Sequence, residues 1–368
     1  MRKGNPFAVI MAGGGGTRFW PWSTEKAPKQ LLPILSGRSM VRETADRLRV
    51  FIPPERILIV TSRPHAAAIM RDIPRIPKGN FLIEPAGRNT APCLCLAGLF
   101  IERIDPEAPM VVLPADHAIG NGRVFLDTVR AACDAAAGSE LLVTLGVPPA
   151  APETGYGYIQ KGETIGRALG KTVFQVKAFR EKPTLAKAKA YLRRGDYFWN
   201  SGIFIWRTDV FWNAVREFLP GLFKDMDVLR AAWGTSRRGK TLAEVYSRCR
   251  PVSIDYGVME KAGNAALIEA RFGWDDVGTW SALWKLRAKD ADGNACILSK
   301  EASRGKVLAL DSSGCLIRGE EKLIAVLGMK DTVVVEAGKA LLVCPRDRAQ
   351  DVRRVIEDLQ AKGWGEYL

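Results

Sequence analysis

Residues 12–32 read AGGGGTRFWPWSTEKAPKQLL and follow directly on the apolar run FAVIM at 7–11, which has the character of a buried strand. Four consecutive glycines, Gly13, Gly14, Gly15 and Gly16, let the backbone turn sharply and present bare N–H groups to an anion. Thr17 and Arg18 follow at once, and Lys29 returns eleven residues after Arg18. Backbone donors, a planar guanidinium fork and a point charge together suit a triphosphate. A P-loop needs G-x-x-x-x-G-K-[ST], and no lysine follows these glycines in that register. A dinucleotide fingerprint needs G-x-G-x-x-G, but counting from Gly13 and Gly15 puts Arg18 where the third glycine belongs. A flexible glycine loop beside unrelated basic residues is the plain alternative. With Arg18, Pro28, Lys29 and Gln30 in train, phosphate binding is the stronger reading.

Around this loop the first 145 residues alternate short apolar runs with amphipathic stretches. The runs 7–11, 57–60, 81–83, 110–113 and 141–145 are continuous and rich in β-branched residues, as buried parallel strands are. Between them 39–49, 64–73, 90–104 and 122–137 carry helical periodicity, with Val41, Ala45 and Leu48 on one face. This alternation predicts an open, doubly wound α/β sheet with ligands at the C-terminal ends of its strands. Two of those ends are polar. EPAGRNTAP at 84–92 offers Asn89 or Thr90 as a helix cap, and Glu84, Asn89 and Thr90 as fixed donors and acceptors for a base. PADH at 114–117 puts Asp116 at a strand end facing the phosphate loop. There a carboxylate suits Mg²⁺, although a helix or turn cap accounts for one such Asp equally well.

Beyond residue 145 the pattern changes. Pro148, Pro149 and Pro152 mark a crossover, and ETGYGYI at 153–159 opens a more antiparallel region. Residues 173–179 alternate like a strand and run into REKP at 180–183; a helix is expected over 185–192 and a strand over 198–206 (FWNSGIFIW). From here Glu181, Lys182 and Asn200 are candidates. A carboxylate and an amide can hold vicinal sugar hydroxyls, and a lysine can neutralise a sugar phosphate, though each alone is an ordinary surface residue. Residues 208–248 read as mostly helical. FGWDDVGTW at 272–280 then brings two adjacent aspartates, which on a strand point to opposite faces, so only one can reach a given site. From about 292, apolar runs at 307–310, 323–327, 333–335 and 340–343 predict a small β domain. Residues 347–361 close the chain as an amphipathic helix with Val352, Val355, Ile356 and Leu359 on one face, suited to packing or subunit contact.

These stretches together resemble the sugar-1-phosphate nucleotidyltransferases, and the GG-G-TR-x-WP-x-S…PKQ-LL form is similar to the mannose-1-phosphate guanylyltransferase branch. The resemblance covers nearly the whole chain. It departs at Phe19 and Trp22, where the family usually has leucines flanking Trp20-Pro21, and at Thr24, where it usually has Arg. The resemblance implies a Rossmann-like, glycosyltransferase-A-like mixed sheet over residues 1–290. It also implies a C-terminal β domain over 291–368, often a left-handed β-helix, in the form without the appended isomerase domain. It assigns Ala12 to Thr17, Arg18, Lys29, Glu84, Pro85, Asn89, Thr90 and Asp116 to the nucleotide. Gly155, Gly157, Glu181, Lys182, Asn200 and Asp255 fall to the sugar phosphate. Asp116 and Asp276, the second of the adjacent pair, fall to Mg²⁺. The implied reaction joins GTP and mannose-1-phosphate into GDP-mannose and pyrophosphate, with Arg18, Lys29, Asp116, Lys182 and Asp276 carrying it. Thymidylyl or glucose-type transfer, and a non-catalytic nucleotide-sugar sensor, are the competing readings.

Composition sets the outer bounds. The 368 residues suit one large domain and a smaller one, and 47% hydrophobic content is enough for a sizeable core. No apolar run reaches the length of a membrane span and no signal-peptide pattern opens the chain, so a cytoplasmic protein is expected. Seven cysteines without paired metal spacing read as reduced, buried thiols. The net charge of +14 is spread along the chain, with Arg193-Arg194 and Arg237-Arg238 standing alone. A solvated basic surface with a phosphate pocket fits this better than nucleic acid or membrane binding. A homodimer is compatible with the sequence.

Overall fold

The continuous apolar runs of the first half become neighbouring strands of one sheet. The computed structural model describes residues 4–14, 16–298 and 305–368. The chain divides into two units that interleave in sequence, Met1–Gly13, Thr44–Ala115 and Ile119–Trp274 in one, and Gly14–Glu43, Asp116–Ala118 and Asp275–Leu368 in the other.

The first unit holds a nine-stranded sheet. Its strands are β1 (Phe7–Ala12), β2 (Ile57–Ser62), β3 (Phe81–Glu84), β4 (Pro109–Pro114), β6 (Leu142–Val147), β7 (Tyr158–Ala168), β8 (Lys171–Arg180), β9 (Tyr197–Arg207) and β10 (Ala265–Glu269). The two-residue strands β5 (Ala118–Ile119) and β11 (Trp274–Asp275) lie outside it. The spatial order is β3-β2-β1-β4-β9-β6-β10-β8-β7, with β7 also pairing to β9. β1 runs parallel to both β2 and β4, so Val9 sits between Leu58 and Val112; β9 is antiparallel to β4 and β6 and makes the sheet mixed. The strand order reverses between β1 and β4, the point at which such sheets take ligands beyond their C-terminal ends. There Ala115 N–H donates to Met11 O at 3.0 Å, and the chain runs on into Gly13–Gly14 and into Asp116. The helix Thr90–Glu102 is apolar around its circumference, and ten of its thirteen residues are buried.

In the second unit β12 (Ala295–Leu298), β14 (Leu316–Gly319) and β16 (Thr332–Ala337) are parallel, with β17 (Ala340–Pro345) antiparallel on β16. β13 (Lys306–Leu310) and β15 (Leu323–Leu327) form a second parallel pair. Successive strands alternate between the two small sheets, so the chain winds in β-helix-like coils that stack Ala295, Leu316 and Val333. Cys315, Ile317, Val326 and Val334 fill the coil interior. Ala295, Leu316, Val333 and Leu342 instead share a core with Phe19, Trp20, Leu32 and Ile34 of the glycine-loop segment, and with Trp280, Val352 and Ile356. The closing segment begins as a 3-10 turn, Arg346–Asp351, and becomes an α-helix only over Val352–Ala361. Five of the seven cysteines are buried; Cys344, half-buried, and Cys296, exposed, depart from the expectation of buried thiols.

One polar side chain holds a coil corner. Asn294 is buried, its Oδ1 accepts from Cys315 N–H at 2.9 Å, and its Nδ2 donates to Ser312 O at 2.9 Å and Asp290 Oδ2 at 3.2 Å. Asn294→Ala strands these buried groups and is expected to cost about 2–3 kcal/mol, seen as a lower denaturation midpoint; an unchanged midpoint would contradict this role.

Candidate functional site

The glycine loop doubles back on its own lysine. Gly16 has φ 60°, a left-handed conformation, and a Cβ there would run into the Lys29 side chain, so only glycine fits. Ser23 Oγ donates to Gly16 O at 2.6 Å and fixes the turn. Gly13, Gly14, Thr17 and Arg18 are exposed, open to an anion; Gly15 lies outside the described residues. Lys29, by contrast, is only 5% exposed. Its ammonium donates to Asp116 Oδ2 at 2.7 Å and to the main-chain carbonyl of Asp276 at 2.6 Å.

That contact brings Asp116, Asp276 and Lys29 together, three residues far apart in sequence. Burial raises the pKa of Asp116, but the Lys29 ammonium, its hydrogen bond and His117 outweigh that and hold the carboxyl below its ordinary value. Asp276 meets Lys29 through its carbonyl, while its Oδ1 accepts from Gly278 N–H at 2.9 Å. The neighbouring Asp275 turns to Val277 N–H at 2.6 Å, and burial followed by the Asp276 charge raises its pKa. Val277 has φ 47°, strained for a β-branched residue, at the point where the pair is presented. Among the described residues no group of three or more His, Cys, Asp or Glu could hold a metal by itself. A hard ion held here would draw on the Asp116 and Asp276 carboxylates and take its remaining ligands from phosphates and water.

In the first unit Glu84 is 5% exposed and accepts from Tyr246 Oη at 3.2 Å. A Cβ on Gly13 would come within 3.3 Å of its Oε2, so the carboxyl lies beside the end of β1. Burial, only partly offset by Tyr246, pushes its pKa up to about 7. Asn89 caps the helix Thr90–Glu102 through Thr90 N–H at 2.8 Å, and Thr90 Oγ1 accepts from Ile254 N–H at 2.8 Å. Both polar side chains therefore have structural work, and Pro85 is exposed. Ala12 ends β1, its carbonyl accepting from Thr61 Oγ1 at 2.9 Å.

A second group in the same unit gathers around Asn200. Its Nδ2 donates to Asp255 Oδ1 at 2.7 Å and Glu181 Oε1 at 3.4 Å, and its N–H donates to Gly157 O at 2.8 Å. A Cβ on Gly157 would strike the Glu181 carboxylate. Burial and then the Asp255 charge push Glu181 up to about 7; burial likewise raises Asp255, which opens a five-residue π turn, Asp255–Met259. Lys182 is exposed with φ 46°, a strained conformation for a lysine beside this carboxylate pair, and Gly155 is exposed. Tyr156 stands edge-on to Trp199 and Trp274, each at 5.2 Å.

Residues 7–293 match the family model described as nucleotidyl transferase, and residues 305–359 match that of the MannoseP isomerase/GMP-like beta-helix domain. The mannose-1-phosphate guanylyltransferases of Klebsiella pneumoniae and Escherichia coli are each 38% identical over 365 residues, 98% of this chain and 75% of those proteins. The chain belongs to the mannose-1-phosphate guanylyltransferase family. A solved structure from Thermus thermophilus, described as a mannose-1-phosphate geranyltransferase, agrees with a TM-score of 0.86 at 36% identity. It covers 97% of this chain and 99% of that one. The mixed sheet and the β-helix-like C-terminal region are thus those of a nucleotidyltransferase. Among the described residues no helix is long and apolar enough to cross a membrane.

Sequence reading of this guanylyltransferase-family chain missed Tyr246 and the Tyr156–Trp199–Trp274 cluster. Tyr246 lies on an amphipathic helix among core residues, and nothing in its periodicity marks a carboxylate partner. The Glu84–Tyr246 pair makes a pH-dependent prediction. A carboxyl whose folded pKa is raised from 4.5 to about 7 favours the fold when protonated and loses that advantage as pH rises through about 7. Glu84→Gln is therefore expected to gain melting temperature relative to wild type between pH 5 and pH 8; a difference that stays flat with pH would contradict the assignment.

Proposed function

We propose that the chain transfers the guanylyl group of GTP to mannose-1-phosphate, giving GDP-mannose and pyrophosphate. The observation that carries this is Lys29, clamped between the Asp116 carboxylate and the Asp276 carbonyl behind an open glycine loop. In the reaction an oxygen of the sugar phosphate forms a bond to the α-phosphorus. The bond from that phosphorus to the bridging oxygen breaks, and pyrophosphate leaves with the electron pair. The attacking oxygen is already anionic near neutral pH, so alignment and charge neutralisation are what the protein supplies. Arg18 and Lys29 hold the β- and γ-phosphates, and Lys182 holds the attacking phosphate. Asn200, Glu181 and Asp255 take the sugar hydroxyls, and Glu84 accepts from the donor edge of guanine. Asp116 and Asp276 would hold Mg²⁺, which when bound spreads the charge of the reacting phosphates. A left-handed coil in the C-terminal region and a cytoplasmic location follow the family resemblance and belong to the same proposal.

The test crosses GTP, dTTP, ATP and UTP against mannose-1-phosphate and glucose-1-phosphate with Mg²⁺ and measures pyrophosphate release. Release confined to GTP with mannose-1-phosphate is expected. Preference for dTTP or for glucose-1-phosphate would overturn the specificity, and nucleotide-sugar binding with no release would mean a sensor. In the same assay Asp276→Ala is expected to lower kcat by about 10²–10³-fold with the fold intact. A near-normal kcat would remove Asp276 from the scheme.

A further inference from the structure

Arg318, in β14, is a buried cation, 4% exposed, with no part in the chemistry above. Its guanidinium donates to Glu320 Oε1 at 2.9 Å and to the Glu336 carbonyl. Those partners are braced in turn: Glu320 N–H donates to Glu336 Oε2 at 3.0 Å, and Gly338 N–H donates to Glu320 Oε2 at 2.8 Å. Burial draws the guanidinium pKa below its ordinary value, so the charge is held at a cost. Its Cζ lies 4.2 Å from the ring centroid of Trp22, in the glycine-loop segment. Only an aromatic face can receive a guanidinium in this way.

From Trp22 the contacts continue toward the phosphate site, all inside the second unit. Trp22 stacks on Trp280 with 6.2 Å between centroids and 13° between planes. Trp280 meets Phe19 at 4.9 Å and donates its Nε1–H to Trp20 O at 3.2 Å. The Lys29 ammonium lies 5.8 Å from the Phe19 ring centroid. We propose that Arg318 is a positioning residue for nucleotidyl transfer. By clamping Trp22 it fixes, through Trp280 and Phe19, where Lys29 meets the triphosphate. The β-helix-like region thereby sets the geometry of the phosphate cradle. This rests on the reading of Lys29 as a phosphate ligand.

The experiment compares wild type with Arg318→Met, Arg318→Lys, Trp22→Leu and the double variant Arg318→Met/Trp22→Leu. Calorimetric titration with tripolyphosphate probes the cradle without requiring turnover or the right base. KM for each substrate and thermal melts complete the set. Arg318→Met and Trp22→Leu are each expected to weaken tripolyphosphate binding and raise KM for the nucleoside triphosphate about tenfold. KM for mannose-1-phosphate should stay within about twofold, and the double variant should be no worse than the weaker single. Arg318→Lys keeps the charge but loses the planar fork and should fall between. Unchanged tripolyphosphate affinity in Arg318→Met, or effects that multiply in the double variant, overturns the proposal, whatever the melts show. If Arg318→Met does not fold, Trp22→Phe must keep the affinity that Trp22→Leu loses. Equal losses overturn the proposal. The wild-type substrate pattern tests the functional reading separately: turnover of a different nucleotide corrects that reading and leaves the Arg318 comparison standing.

Discussion

A buried lysine ammonium must have its charge answered, and in this chain the answer ties three distant segments together. Lys29 is nearly inaccessible, yet it donates to the Asp116 carboxylate and the Asp276 carbonyl. Breaking such a pair by removing one partner leaves an uncompensated buried charge, so the arrangement is strongly held. Gly16 must be glycine because the loop folds against this same lysine. The strained Val277 is tolerated because it delivers the Asp276 carbonyl to it.

The glycine-loop segment is anchored from behind as well. Phe19, Trp20, Leu32 and Ile34 share a core with the coil strands and the closing helix. Trp20 Nε1–H donates to the Tyr367 carbonyl at 2.6 Å, and Trp280 Nε1–H to the Trp20 carbonyl.

The parts readable from sequence were those whose physics is local. Buried parallel strands leave continuous apolar runs, so β1 to β4 stood out, as did the helix Thr90–Glu102 with its Asn89 cap. β12 (ACIL) and β14 (LIRG) did not, because four-residue strands that end in a coil corner have too little periodicity to register. Nothing in the sequence singles out Arg318, since its burial depends on Trp22 nearly the whole chain away. The Asp275–Asp276 pair was readable as a choice of one side chain. That a main-chain carbonyl would be the group on Lys29 has no signature in residue types. Asn89 and Thr90 show the opposite limit: their polarity was evident, but not that Asn89 Oδ1 accepts from Thr90 N–H and Thr90 Oγ1 from Ile254 N–H.

The proposed function requires that this chain align and neutralise phosphates rather than supply a nucleophile. A lysine can form a covalent nucleotidyl adduct, but the Lys29 nitrogen already donates to two oxygen acceptors, Asp116 Oδ2 and the Asp276 carbonyl. The direct test is the stereochemical course at the α-phosphorus, using one diastereomer of a GTP thio-substituted on that phosphorus. A single in-line displacement predicts inversion of configuration in the GDP-mannose analogue. Net retention would mean two displacements through a covalent enzyme intermediate, and would contradict the account.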